Sequence, residues 1–162
     1  MTLTVIGNKE YALLGRLFFR RNPQAAQDLL SDFRNMQASA LLTDVSLLPS
    51  LFNQYCTALE KEPGDIRNAK HNREMMSSKK VFVGAVISLY CPGAFDDPGL
   101  IRQSQMGIVC GIGQVLGVHH SNVTKMVHEV IHYMKVYDSF RQEVVDIAER
   151  LSAIAVKGGD HD

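Results

Sequence analysis

His128 and His132 stand four residues apart with Glu129 beside the first, a His-Glu-x-x-His spacing. On a helix this places two imidazoles on one face, where they can bind zinc while the glutamate activates a water. A hydrolase built that way also needs a third ligand. Glu143 and Glu149 lie 11 and 17 residues beyond His132, at neither established spacing, and Asp138 stands where a third histidine would. A zinc metallohydrolase is therefore the alternative, and no metal ligand or cofactor is assigned. His119 and His120 are neighbours on one turn and diverge, so phosphate contact or plain exposure suits them better than a shared metal. Gly111, Gly113 and Gly117 lack the spacing of a dinucleotide-binding loop and follow no strand. No Ser/His/Asp or Cys/His set is placed, so no enzyme chemistry is expected.

A second constellation points to nucleic acid. Ser121, Lys125 and His128 recur at helical spacing, with Asn122 and Thr124 flanking them and His119-His120 just before. Asn and Lys can pair with base edges in the major groove, whereas Ser, Thr and His hold phosphates. Upstream, Arg67, Lys70, Arg73, Lys79 and Lys80 crowd a polar segment suited to non-specific phosphate contact. The net charge of zero conceals an uneven distribution. Residues 67–136 carry eight Lys/Arg against four Asp/Glu and five of the six histidines. Residues 1–66 carry six against seven, and residues 137–162 three against six. A basic middle between acidic ends leaves room for a phosphate-binding face within a neutral total.

The element that must position the polar face is a pair of helices at 109–128. Ile112, Leu116, Val123 and Met126 are spaced to share a core, while Gly113 allows close backbone approach. Gly117 supplies the positive φ of a tight turn, and Val118 plugs it. This is the pattern of a helix-turn-helix. Its second helix is expected over about 121–134, with Ser121 as N-cap. Val123, Met126, Val127, Val130 and Met134 form its apolar stripe, opposite Ser121, Lys125, His128 and His132.

The rest of the chain also reads as helical. Tyr11, Leu14, Leu17 and Phe18 share a face that ends near Arg20-Arg21. Pro23 opens a second helix to about Met36, with Leu29, Leu30 and Phe33 inward. A third follows Asp44 as N-cap, through Leu48, Leu51, Phe52, Tyr55 and Leu59, and Pro63-Gly64 stops it. The polar stretch 60–80 then leads into an apolar helix at 81–90, closed by Pro92-Gly93, and a loop at 93–99. Residues 3–6 and 81–83 are the only short runs that suit strands, and the second lies inside a stronger helical pattern. The fold class expected is all-α. It comprises an N-terminal helical extension over 1–45, a helix-turn-helix domain over 46–155 and a flexible tail over 156–162. The N-terminal helices are the candidate surface for a homodimer or a protein partner.

From about residue 51 to 151 the chain resembles the C-terminal DNA-binding domain of the bacterial chromosomal replication initiator, a helical domain with a Trp-repressor-like helix-turn-helix. Asp65-Ile66 and the basic stretch 67–80 resemble that family's basic loop. Residues 81–90 resemble its scaffold helix, and Ile112-Gly113 through Leu116-Gly117 the first helix of its reading motif. His120-Ser121 resembles the pair that opens its recognition helix. Asp138, Phe140, Arg141 and Val144 resemble the start of its final helix. The resemblance implies double-stranded DNA as partner, a basic loop on the phosphates and a reading helix in the major groove. Val118 and His119 stand where the family carries Arg and Asp, and the turn is one residue shorter. Asn122 replaces a second Thr, and Lys125 falls where His is frequent. No P-loop occurs. The resemblance therefore implies a stand-alone DNA-binding protein, regulatory or belonging to a phage or mobile element, rather than an initiator.

Composition sets the outer bounds. Hydrophobic residues are 46% of the 162, enough for a sizeable core. No apolar run reaches 18 residues, and the first seven residues lack a secretory signature, so a cytoplasmic protein without membrane contact is expected. Cys56, Cys91 and Cys110 form no Cys-x-x-Cys pair and read as small buried hydrophobes in a reducing compartment.

Overall fold

A computed structural model describes residues 8–38, 40–68, 72–96 and 106–157, and every regular element in them is helical. The all-α expectation holds. Residues 81–83 lie within a helix, and the expected strand at 3–6 falls outside the described residues, as do the loop beyond 96 and the tail beyond 157.

Two compact units divide the chain, Met1–Ala38 and Ser39–Asp162. The first contains α1 (Asn8–Arg21) and α2 (Pro23–Ala38), packed on each other as a hairpin. Pro23 begins α2 because it has no N–H to leave unpaired in a first turn. Leu29, expected to face inward, is 57% exposed, and Ala26 is the buried residue among the described side chains of that unit; those of Leu30 and Phe33, also expected inward, lie outside the described ones.

The second unit begins earlier than residue 46 because residues 41–44 are tied into it. The N–H groups of Leu41 and Leu42 both donate to the Leu89 carbonyl, and the Tyr90 hydroxyl donates to the Asp44 carbonyl at 2.7 Å. Asp44 does cap, but the element it caps is a 3-10 turn, Val45–Leu47, which runs into α3 (Leu48–Ala58). Its carboxylate accepts hydrogen bonds from Ser46, which hold its pKa below the usual range. Pro63 does not stop α3. That helix already ends at Ala58, where Glu60 turns to φ 54°, and Pro63 instead starts the short α4 (Pro63–Arg67).

Helix α5 (Arg73–Tyr90) is the axis of the unit. From Val81 to Tyr90 every residue except Ser88 is buried, as expected of a helix covered on all sides. Asn72 caps it, its side chain accepting from the N–H groups of Glu74 and Met75. Around α5 pack α4, α6 (Met106–Leu116), α7 (His120–Val136) and α8 (Asp138–Lys157). Helix α8 begins at Asp138, as expected. Gly84 marks the tightest crossing. A Cβ there would lie 2.8 Å from Val144 of α8 and 3.2 Å from Val130 of α7, so the three backbones meet only over a bare α-carbon. Phe82 stacks edge-on to Phe52 at 5.1 Å and lies 5.3 Å from Tyr55, joining α3 to the same core. Cys56 is buried and Cys91 half-buried, whereas Cys110 is exposed, contrary to the expectation for all three.

Candidate nucleic-acid interface

The candidate face depends on how α6 ends. Gly117 adopts φ +66°; its N–H donates to the Gln114 carbonyl at 3.3 Å, and the Val118 N–H to the Gly113 carbonyl at 2.9 Å. These paired bonds close the helix in a left-handed glycine cap and satisfy two carbonyls that the helix leaves open. The Val115 carbonyl is taken from outside: Arg67 Nε donates to it at 2.7 Å while its guanidinium lies 5.3 Å over the Phe52 ring. At Gly113 a Cβ would lie 2.8 Å from the Val118 carbonyl oxygen and 3.6 Å from Val123. The close approach expected of Gly113 is therefore present. Val118 packs half-buried against the core, and Ile112, Leu116, Val123 and Met126 are all buried.

Three residues, Gly117, Val118 and His119, separate α6 from α7. The N-cap of α7 is His119, not Ser121. His119 Nδ1 accepts from the Ser121 N–H at 3.4 Å and lies 2.9 Å from the Ser121 hydroxyl. The N–H groups of Asn122 and Val123 both donate to the His119 carbonyl. Among the first N–H groups of α7, those of Ser121, Asn122 and Val123 are thus engaged within the turn. The His120 ring lies against His119, centroids 4.0 Å apart.

Along α7 the side chains divide as the spacing predicts. Val123, Met126, Val127, Val130 and Ile131 are buried, and Met134 packs half-buried against them. Ser121, Asn122, Lys125, His128 and His132 are exposed. Thr124 is half-buried and spends its hydroxyl on the His120 carbonyl at 3.2 Å. The structure brings His119, His120, Ser121, Asn122 and Lys125 together on the first turns of one helix.

The basic segment is assembled differently from expectation. It is not one loop: Arg67 ends α4, while Arg73, Lys79 and Lys80 belong to α5, and Lys70 lies outside the described residues. Lys79 is only 4% exposed, with its ammonium donating to the Arg67 carbonyl at 2.7 Å. It stands on the buried side of α5 with Phe82, Val83 and Val86, so its candidacy for phosphate contact falls. Lys80 is half-buried. It pairs with Glu129 Oε2 at 2.8 Å, donates to the Tyr133 hydroxyl at 3.3 Å and lies 4.7 Å over that ring. Burial draws its pKa down, but the bonds to Glu129 and Tyr133 outweigh this and hold it above the usual lysine value. Arg73 is exposed on the first turn of α5.

Glu129, the would-be water activator of the His-Glu-x-x-His pattern, is that partner of Lys80. Among the described residues no group of three His, Cys, Asp or Glu side chains is placed to hold a metal ion. His128 and His132 remain an exposed pair on α7, and no other ligand joins them within that set. Among the same residues no helix is long and apolar enough to cross a membrane. Sequence reasoning missed that Arg67 fastens the last turn of α6 and Lys80 the middle of α7. The spacing of Glu129 and Tyr133, four residues apart on one face, was the available sign for Lys80. No protein-family model, curated protein or solved structure matches the chain.

Proposed function

We propose that this protein binds double-stranded DNA, with α6 and α7 acting as a helix-turn-helix and α7 as the reading helix. One observation carries the reading: a tight glycine turn holds a helix whose far side is buried and whose opening turns present His120, Ser121, Asn122 and Lys125 to solvent. A helix anchored in this way can enter a major groove without unfolding anything behind it. Asn122 and Lys125, one turn in, are the base readers, pairing with adenine and guanine respectively. Ser121, His120, His119 and His128 border the groove on the phosphates, and Thr124 supports the turn. Arg73 adds a phosphate contact, and Arg67 acts on the turn. The zinc-hydrolase alternative loses support because Glu129 is engaged by Lys80. A stand-alone regulator or mobile-element factor is the setting we propose.

The test is a mobility shift with random duplex at two salt concentrations, followed by site selection. Wild type should bind non-specifically, with affinity falling steeply between the two salts. Asn122→Ala and Lys125→Ala should flatten the selected sequence preference, each losing roughly 1–3 kcal/mol of discrimination. Arg73→Ala should weaken all duplexes equally and reduce the salt slope by about one. Absence of any duplex binding at low salt overturns the reading and leaves the exposed face of α7 as a protein contact.

A further inference from the structure

We propose that the second unit carries a binding site for a small carboxylate with a compact apolar body, held in the groove between α6, the 3-10 turn Val45–Leu47 and the end of α4. The site lies within that unit and is independent of the DNA reading.

The groove follows from spacing on α6. Gly107, Cys110, Gly111 and Gln114 recur every three or four residues and so form one stripe along that helix. At Gly111 the stripe is closed. A Cβ there would lie 2.6 Å from Leu48 and 3.0 Å from Val45, so the 3-10 turn and the start of α3 rest on a bare α-carbon. One turn earlier, at Gly107, the nearest atom to such a Cβ is Val45 Cγ2 at 3.9 Å, and the elements part. The space they leave is about 420 Å³, within the roughly 300–1,000 Å³ typical of small-molecule sites.

The lining selects the ligand. Arg67 is the one charged side chain in it, so the groove favours an anion. The guanidinium is already aimed, with Nε on the Val115 carbonyl at 2.7 Å and the Phe52 ring 5.3 Å beneath it. Among the described residues neither Nη nitrogen has a partner. Together they form the planar fork that a carboxylate takes in two parallel bonds. Because the side chain is held before the ligand arrives, little freedom is lost on binding. Ser46 and Gln114 bring a hydroxyl and an amide to the same groove, while Val45 and Pro49 give it apolar wall. A bare inorganic anion would leave that wall wet, whereas a carboxylate carrying a ring system covers it.

The test titrates the full chain with 1-naphthoate by calorimetry and follows Cys110, exposed in the same groove, by N-ethylmaleimide labelling and mass spectrometry. Wild type should bind one naphthoate per chain. Saturation should slow labelling of Cys110, and the melting temperature should rise with ligand concentration. The uncharged 1-naphthalenemethanol should bind about tenfold more weakly or worse, and inorganic phosphate should not protect Cys110. Arg67→Gln should weaken naphthoate by about tenfold or more while leaving the weak affinity for the alcohol unchanged, which separates lost charge from a loosened α6. Gly107→Leu, for which the backbone has room, keeps Arg67 but fills the groove, and should also lose binding. No heat of binding at millimolar naphthoate overturns the proposal. So does binding that the alcohol or phosphate matches, or that survives both Arg67→Gln and Gly107→Leu.

Discussion

Gly113 and Gly117 serve the same turn for different physical reasons, and alanine separates them. At Gly117 the space beyond the α-carbon is open, so Gly117→Ala meets only the strain of φ +66°, about 1 kcal/mol. At Gly113 the new methyl meets a backbone oxygen, which cannot rotate away without opening the turn. Gly113→Ala should therefore cost about 2–3 kcal/mol. Urea unfolding of the two variants should rank them in that order. Glu60 is the converse case: its N–H and that of Lys61 close α3 on the carbonyls of Thr57 and Cys56, but with a side chain at φ 54°. Glu60→Gly should raise stability by up to about 1 kcal/mol in the same assay. Both glycine roles were legible in the sequence, because a left-handed cap and a close approach leave few other choices. The N-cap was not. His119 and Ser121 can each accept from a backbone N–H, and the shortness of the turn, not residue preference, decided between them.

Among the elements, α5 shows why a charged stretch was misjudged. Residues 60–80 read as a polar stretch, with 67–80 resembling a basic loop, since charge density hides the period of what lies beneath. Lys79 in fact continues the buried side of Phe82, Val83 and Val86, its long stem packing while its ammonium reaches the Arg67 carbonyl at the end of α4. The apolar half of α5, the core positions of α6 and α7 and the start of α8 were legible, because there polarity and period agree. Lys80 joins α5 to α7 through Glu129 and Tyr133. With side-chain exposures of 17% and 51%, the ion pair is screened and contributes modestly. A double-mutant cycle on Lys80→Met and Glu129→Gln should return a coupling below about 1 kcal/mol. The same variants should leave the exposed side of α7 in place.

For the whole molecule, three proton-holding groups set an alkaline limit. Burial, reinforced by the Glu143 charge, pushes the Tyr55 hydroxyl far above its ordinary value, and its proton is given to the Ser78 carbonyl at 2.8 Å. Burial beside the Asp44 charge raises Tyr90 to about 12. Lys80 is raised by its partners on α7, against the pull of its own burial. Each group binds its proton more tightly in the folded chain than in the unfolded one, where tyrosine titrates near 10 and lysine near 10.4. Their stabilisation is therefore complete below about pH 10 and is lost as the pH rises through the folded values. The melting temperature should fall progressively from about pH 10 towards pH 12. Tyr90→Phe should reduce that slope while also losing the hydrogen bond to the Asp44 carbonyl. A melting temperature unchanged to pH 12 would contradict this account.

The bond from Arg67 to the Val115 carbonyl spans 48 residues of sequence, and it bears on what can be transplanted. Residues 106–136 carry the turn, its two glycines and the exposed side chains, so they have the look of a portable cassette. Grafted onto another scaffold, they would arrive without the guanidinium that latches the last turn of α6. They would also lack the lysine that fastens the middle of α7. The orientation of the second helix is thus a property of the intact unit, inherited from α4 and α5. It would have to be rebuilt in any host from residues the cassette does not contain.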